Sequence, residues 1–560
     1  MLLRHHLKRY IICKNIIQCK SMRRLSQLSV ETIDELVTRK QILLQNSFSK
    51  SKKMLDLSTR SDGLSDPWMT MYCCGPTVYE DCHLGHALTY IRCDLLRRVL
   101  RQYYNCEVLL AMNMTDIDDK IIAKANHLNC DFRKVTNQYT NSFIEDMKSL
   151  NVMPANCYLR VTDHMNTIIN YINTIRDKGF AYISDQTNDI NFDFEHFIKS
   201  YNINNYLGGD DMKITDKSVG KKSPKDFALW KSAKNGEPNW RLVTTDGITI
   251  PGRPGWHIEC SALVHKVFGT QLDIHFGGHD LRFPHHHCES CCSHAFLELD
   301  DSKPLYSWGN IWLHSGHLNL KSEKMSKSLG NVILIKDFLK KYSPNILRLF
   351  CIKLHYRSDF QYEEHLIAEM QNIDKKLLDF KENLNLEICK LCSNNISLNL
   401  IKNQRQALFS EAIDETERSI LRGISDDLDL EMGLKAVLLL AKQFNSTADY
   451  SLLDLIRVKA LYDKWLDGMG LTFISSIEDT TAREALILNA LTKFRSDVRQ
   501  IALKSLKNID KTTNNTDVNN ISNELHQNTK DLLTLCDTLR LELDGFGIKF
   551  KDLPVSTILK

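Results

Sequence analysis

The chain has 560 residues, 25 % of them charged and 43 % hydrophobic, with a formal net charge of +3. That length supports several globular domains, and no apolar run approaches the roughly 20 residues of a membrane span, so a soluble protein with no membrane partner is expected. The 17 cysteines are odd in number, scattered, and too few for a disulfide scaffold on so long a chain. They suit a reducing compartment in which a few thiols bind metal.

The first thirty residues carry seven basic side chains (Arg4, Lys8, Arg9, Lys14, Lys20, Arg23 and Arg24), and no acid precedes Glu31. Basic residues interleaved with Leu and Ile read as an organelle-targeting presequence over residues 1–35. A basic arm that touches nucleic acid is the alternative. Without those seven charges the net falls to −4, so any nucleic-acid contact by the remainder must come from local patches. Residues 31–65 show no convincing core pattern. "WMTMYCC" then alternates like a strand and enters a Gly75-Pro76 turn. Leu88, Ile91, Leu95, Val99 and Tyr103 recur at helical spacing, and "EVLLAMNMT" reads as a second buried strand. Strand, helix, strand predicts a βαβ unit and a parallel sheet with right-handed crossovers. Residues 153–250, with the polar, Gly-rich "NNYLGGDDMKITDKSVGKKSPKD", look like an insertion. Apolar order returns with "PGWHIECSALVHKVFG" and "QLDIHFGG", which read as the second half of the sheet. From Asp337 onward the pattern is almost wholly helical, and "KNIDKTTNNTDVNNISN" reads as a flexible loop between C-terminal helices.

No glycine-rich phosphate loop follows the first strand; "HLGH" stands there instead. His83 and His86 are three apart at a helix start, so both rings can project to one side, where the helix end adds partial positive charge and free N–H groups. Two imidazole donors there suit a triphosphate and the charge that develops on its α-phosphate. Gly85 leaves room for a flat base against the backbone. Alone, the motif also suits a surface histidine pair. "KMSKS", Lys324 to Ser328, adds a cationic loop able to close over a pyrophosphate leaving group. In that order, some 240 residues apart, the two motifs resemble those of the class I aminoacyl-tRNA synthetases. The resemblance implies that His83 and His86 stabilise the adenylation transition state and that Lys324 and Lys327 neutralise the β- and γ-phosphates.

Further along, His285 and Glu289 are four apart and share a face if "HHHCESCCSHAFLEL" is helical. With two cysteines from other segments they would close a four-coordinate zinc site. Cys288-x-x-Cys291 is an equally good half-site by spacing, and His286, His287 and Cys292 are further rivals. "MYCCGPTVYEDCHLGH", "MTDIDDKII", "DFALWK", "RPGWHIECSA", "GGHDLRFPHH" and "KMSKSLGN" together resemble the cysteinyl-tRNA synthetases, from about residue 68 to 365. The resemblance implies one Zn²⁺ per chain on Cys74, Cys260, His285 and Glu289. It implies cysteine beside Trp256 and Thr115, and ATP with Mg²⁺ against Gly85, Gly277, Gly278, Asp280 and Lys327. Trp256 could equally be a core residue. Phe276, where the family carries a small residue, either crowds the nucleotide or faces the core. A metal suits the substrate, because a packed pocket separates serine from cysteine by only about 1–3 kcal/mol, whereas zinc prefers a soft thiolate.

The C-terminal part resembles the family more loosely: Asp426–Glu431 lacks the usual Asn-Thr-Pro, and the end lacks Thr-Trp-Arg. Arg495, Arg499, Lys504 and Lys507 suit either a tRNA backbone or a solvated helix face. The fold class expected is α/β: a Rossmann-like parallel-sheet catalytic domain split by an insertion, followed by an α-helical bundle and a small C-terminal domain. The halves are 65–152 and 251–320, the connective insertion 153–250, the KMSKS loop and stem-contact region 321–375, a tRNA- and anticodon-binding bundle 376–485, and a C-terminal tRNA-binding domain 486–560. The expected activity is ligation of cysteine to tRNA(Cys) by a monomer in the mitochondrial matrix. A cysteine-adenylating ligase acting on a small amine, or a silent tRNA-binding paralogue, are the rivals.

Overall fold

The computed structural model describes residues 41–57, 68–201, 219–299, 304–320, 323–324, 332–393, 404–446 and 450–473, with a few isolated positions beyond. The leader 1–35, Lys327 and nearly all of 486–560 therefore lie outside the described residues. The chain divides into two compact units, Met1–Thr472 and Phe473–Lys560. The strands and long helices among the described residues lie in the first unit.

Strands β1 (Gln41–Gln45) and β2 (Lys52–Asp56) form an antiparallel hairpin where no core pattern was expected. Its strands are five residues long, too short for alternation to stand out, yet Ile42, Leu44 and Leu55 are fully buried. β3 (Trp68–Cys73) is buried from Met69 onward instead of alternating, because it is the central strand of a sheet covered on both faces. Its one polar inward residue, Thr70, is satisfied by Asp273 Oδ2, which accepts from both its N–H and its hydroxyl at 2.8 Å.

Helix α1 (Leu84–Tyr104) ends on Asn105 in the left-handed conformation, at φ 51°. Leu88, Ile91, Leu95 and Val99 are buried, as their spacing predicts. β4 (Glu107–Met114), α2 (Asp119–His127), α3 (Phe132–Ser149) and β5 (Cys157–Arg160) follow. β5 pairs in parallel with β4, so the first half of the sheet runs past residue 152, where the sequence placed the insertion. Four residues with only Leu159 buried carry no strand signature of their own.

After α4 (Met165–Asp177) come β6 (Ala181–Ile183), β7 (Ile190–Phe192), α5 (Phe194–Ser200), β8 (Phe227–Ser232), β9 (Trp240–Val243) and β10 (Thr249–Pro254). These strands make a separate antiparallel sheet in the order β6-β7-β8-β10-β9. α6 (Trp256–Phe268), β11 (Leu272–Gly278), α7 (His285–Leu297) and β12 (Gly309–Ser315) return to the parallel sheet, whose order is β12-β11-β3-β4-β5. Strand order reverses between β3 and β11, and in open α/β sheets ligands bind at the carboxyl ends of the strands beside such a reversal.

β13 (Leu318–Leu320) pairs with β14 (Glu323–Lys324), and after α8 (Ile335–Leu339) and α9 (Pro344–Lys353) also with β15 (Phe360–Tyr362). Helices α10 (Glu364–Ser393), α11 (Gln404–Ser425), α12 (Leu430–Ser446) and α13 (Leu452–Met469) pack as a bundle around Phe380, Phe444, Tyr462 and Trp465. Arg348 of α9 joins the bundle to the sheet. It is fully buried and donates to Asp94 Oδ2 of α1 at 2.6 Å, to Leu150 O at 3.0 Å and to Met469 O at 3.2 Å.

Candidate active site and metal centre

His83 is the N-cap of α1, and the two imidazoles of HLGH close that helix end reciprocally. His83 Nδ1 accepts from Gly85 N–H at 3.1 Å, and His86 Nδ1 accepts from His83 N–H at 3.2 Å. A neutral ring whose Nδ1 accepts must carry its proton on Nε2. The backbone thereby sets both rings, 3.9 Å apart, as Nε2–H donors. Gly85 is required sterically: a Cβ there would lie 2.8 Å from His83 Cε1.

Nine residues before His83, Cys74 leaves the end of β3. Its Sγ lies 3.7 Å from Cys260 Sγ on α6 and 3.2 Å from His286 Nε2 on α7. Cys73, its neighbour, is directed the other way, toward Cys93 of α1. Cys74, Cys260, His285 and Glu289 each present one ligand atom, all within 4.8 Å of one another, and all four residues are buried. A tetrahedral zinc with bonds of about 2.3 Å would hold two sulfurs about 3.8 Å apart, so the Cys74–Cys260 separation fits a shared metal. Glu289 points the same way. Its Oε1 meets His275 Nε2 at 3.0 Å, while Oε2 is buried with no hydrogen-bond partner. Burial pushes the Glu289 carboxyl and the Cys74 thiol up and the His285 imidazole down. A bound cation reverses the first two preferences. Two thiols, an imidazole and a carboxylate are the donor types of a structural or substrate-binding zinc.

A second set shares two of these residues: Cys74, His275, His286 and Glu289 also lie within 4.8 Å of one another, and of the two newcomers the sequence named His286 as a rival but missed His275. His275 faces inward from β11 in step with Gly277, a strand-alternation signal that was available. His286 is pinned through its Nδ1 to His314 Nε2 at 2.8 Å, and no spacing in the sequence reports that contact. Cys288 and Cys291, the equal half-site by spacing, belong to neither set among the described residues. Cys291 turns instead toward His287 Nε2, at 3.8 Å, and His287 bonds Tyr306 at 2.8 Å.

Trp256, at the first turn of α6, is 40 % exposed and stacks on His285 with centroids 4.4 Å apart. It is not a core tryptophan. Thr115, just past β4, donates to Glu259 Oε2 at 3.0 Å and accepts from Asn113 Nδ2 at 3.1 Å. Gly277 and Gly278 end β11, where a Cβ on Gly277 would meet His286 Cε1 at 2.6 Å. Asp280 is exposed in the turn beyond them. Phe276 is 1 % exposed, packed within the sheet. Lys324 ends β14, in register with Asn319. A cavity of about 510 Å³ lined by Trp68 at the start of β3, Leu109 of β4, Cys157 of β5 and Val267 of α6 contains none of these residues.

Residues 61–372 match the family model described as tRNA synthetases class I (C) catalytic domain. In fold, the chain resembles Mycobacterium tuberculosis methionyl-tRNA synthetase bound by methionyl-adenylate, with TM-score 0.52 and 14 % identity over 71 % of this chain and 90 % of that one. The class is therefore that of the class I tRNA synthetases. A cysteine–tRNA ligase of Thermococcus gammatolerans is 34 % identical over 88 % of this chain and 94 % of its own length. A probable mitochondrial cysteine–tRNA ligase of Xenopus tropicalis is 33 % identical over 89 % and 87 %. This chain belongs to the cysteine–tRNA ligase family.

Proposed function

We propose that the protein activates cysteine with ATP, as the Mg²⁺ complex, to cysteinyl-adenylate and pyrophosphate, and then transfers cysteine to the 3′ end of tRNA(Cys) in mitochondria. The observation that carries the reading is the buried cluster of Cys74, Cys260, His285 and Glu289 at the end of β3, beside the histidine-capped start of α1. These four residues would hold Zn²⁺, which when bound supplies a soft Lewis acid that favours a thiolate over an alcohol.

Trp256 and Thr115 would flank the amino acid. As the cysteine carboxylate attacks the α-phosphate, negative charge builds there. The His83 and His86 Nε2–H groups and the N-terminus of α1 would stabilise that charge, while Lys324 and Lys327 would offset the departing pyrophosphate. Gly85, Gly277, Gly278 and Asp280 would border the adenosine. In the second step the terminal ribose hydroxyl of tRNA attacks the activated carbonyl, the bond from carbonyl to phosphate breaks, and AMP leaves with its phosphate oxygen taking the hydroxyl proton. Neither step calls for a side-chain base, since positioning and fixed donors suffice. The bundle α10–α13 and the region from 486 onward are read as the tRNA-binding half. The mitochondrial address rests on the basic leader and the Xenopus relative, and the enzyme is read as a monomer.

Cysteine-dependent ATP–pyrophosphate exchange, followed by charging of transcribed tRNA(Cys) with cysteine against serine, tests the proposal. Absence of exchange sinks it. Exchange without charging would leave a cysteine-adenylating enzyme with another acceptor.

A further inference from the structure

The residues that follow KMSKS return to the residues that precede and begin HLGH. Leu84 N–H donates to Ile333 O at 3.0 Å, Ile335 N–H donates to Cys82 O at 3.1 Å, and His83 and Leu334 form an antiparallel bridge between them. Just outside this short ladder stands a polar cluster drawn from three separate segments. Lys336 Nζ of α8 lies 2.8 Å from Ser142 Oγ of α3 and 3.2 Å from Asp81 Oδ1, and Ser142 Oγ donates to that same Asp81 oxygen at 2.5 Å. Asp146, one turn beyond Ser142, is 3 % exposed and is the second carboxylate that the lysine's charge offsets. Ile335 and Phe338 anchor the same turn in the core.

We infer that Lys336, Asp81 and Ser142 form a latch that holds the exit of the lysine loop in register with His83, making Lys336 and Asp81 positioning residues for adenylation. The inference rests on the proposed reaction and adds to it how the segment that follows the second motif is held against the first, about 250 residues earlier. His83 takes part in the ladder through its backbone and caps α1 through its ring. A shift of the 333–335 segment therefore moves the imidazole itself. The latch touches neither the cysteine cluster nor the adenosine border, so its loss should act on the rate of activation and not on cysteine binding. A displacement of about 1 Å in a catalytic array can cost about 100-fold in rate.

The test uses the full chain with Lys336→Met and Lys336→Arg. Lys336→Met should lower kcat for cysteine-dependent ATP–pyrophosphate exchange about 10- to 100-fold, with KM for cysteine unchanged. Lys336→Arg, which keeps the charge and reach, should recover most of the rate. Amide hydrogen exchange without substrates should quicken in peptides covering 81–86 and 332–338 in the Met variant alone. Unchanged amide protection, wild-type kcat in the Met variant, or a rise in KM for cysteine matching the fall in kcat would each overturn the latch. An inactive wild-type enzyme would instead remove the proposed reaction, and the amide exchange would still decide the latch.

Discussion

His83 has one ring and two tasks. Its Nδ1 satisfies a backbone N–H of the helix it begins, and by doing so it leaves the proton on Nε2, the atom to which the proposed function assigns the phosphate. The tasks can be separated. Asparagine is as good an N-cap as any residue but lacks the reach of imidazole. His83→Asn should keep the thermal midpoint within a degree or two, yet lower the exchange rate about 100-fold. A parallel fall in stability and rate would show that the cap, not the donor, matters. At the candidate metal centre, the proposed function expects Cys260→Ser to lose zinc and cysteine activation together, measured as metal content of the purified protein beside exchange. Retained zinc would point to the second donor set on Cys74, His275, His286 and Glu289. The Cys288/Cys291 pair, which spacing left open, does not enter either set.

Among elements, the join between α1, α9 and α13 depends on one buried ion pair. Arg348 and Asp94 are both almost wholly buried, and Arg98 gives Asp94 a second cation at 2.8 Å. Removing one member of such a pair strands the other's charge at a cost of about 3–5 kcal/mol. Arg98 still pairs with Asp94 when Arg348 is removed, so Arg348→Met should lower stability in urea titrations by less than that, about 1–3 kcal/mol for the buried acceptors left without a donor. None of this was visible in the helix pattern. Leu88, Ile91, Leu95 and Val99 marked one apolar face of α1 correctly, but the polar residues between them are buried too, because a second layer of helices covers them. Long periodic elements were legible for that reason, and short ones were not. The β1–β2 hairpin and β5 owe their existence to what they lean on: Ser47 N–H donates to Trp312 O at 2.9 Å, and β5 completes a ladder begun by β4.

Across the whole first unit, distant segments meet on Asp427. Its carboxylate accepts from Gln45 N–H at 2.8 Å, from Tyr356 at 2.8 Å and from Arg357, so it ties the hairpin and the 355–358 segment to the turn between α11 and α12. Burial alone would raise its pKa. The hydrogen bonds from His355, Gln45 and Tyr356 and the charge of Arg357 prevail and hold it down at about 2. The folded value lies below the ordinary value of about 3.9. Its contribution is thus complete above about pH 4 and is lost as pH falls through about 2. Asp427→Asn should lower stability at pH 7 and flatten its decline between about pH 4 and 2, followed by urea titration at each pH. In the sequence this residue stood out only as part of a degraded motif; its reach to residue 45 is a property of the assembled fold. The four expected zinc ligands were likewise named through motif resemblance, since spacing alone could not rank them against their neighbours.

The ladder between residues 82–84 and 333–335 has a consequence for biogenesis. It closes a loop of about 250 residues, and β11 must likewise wait to join β3, and β12 to join β11. Contacts this far apart in sequence form late, after the intervening chain is available. A nascent chain that has passed β4 already carries HLGH, but it has no lysine loop to set against it. On the proposed reaction, competence to activate cysteine would therefore arrive only after residue 336 has been made, and a fragment released earlier would be inert.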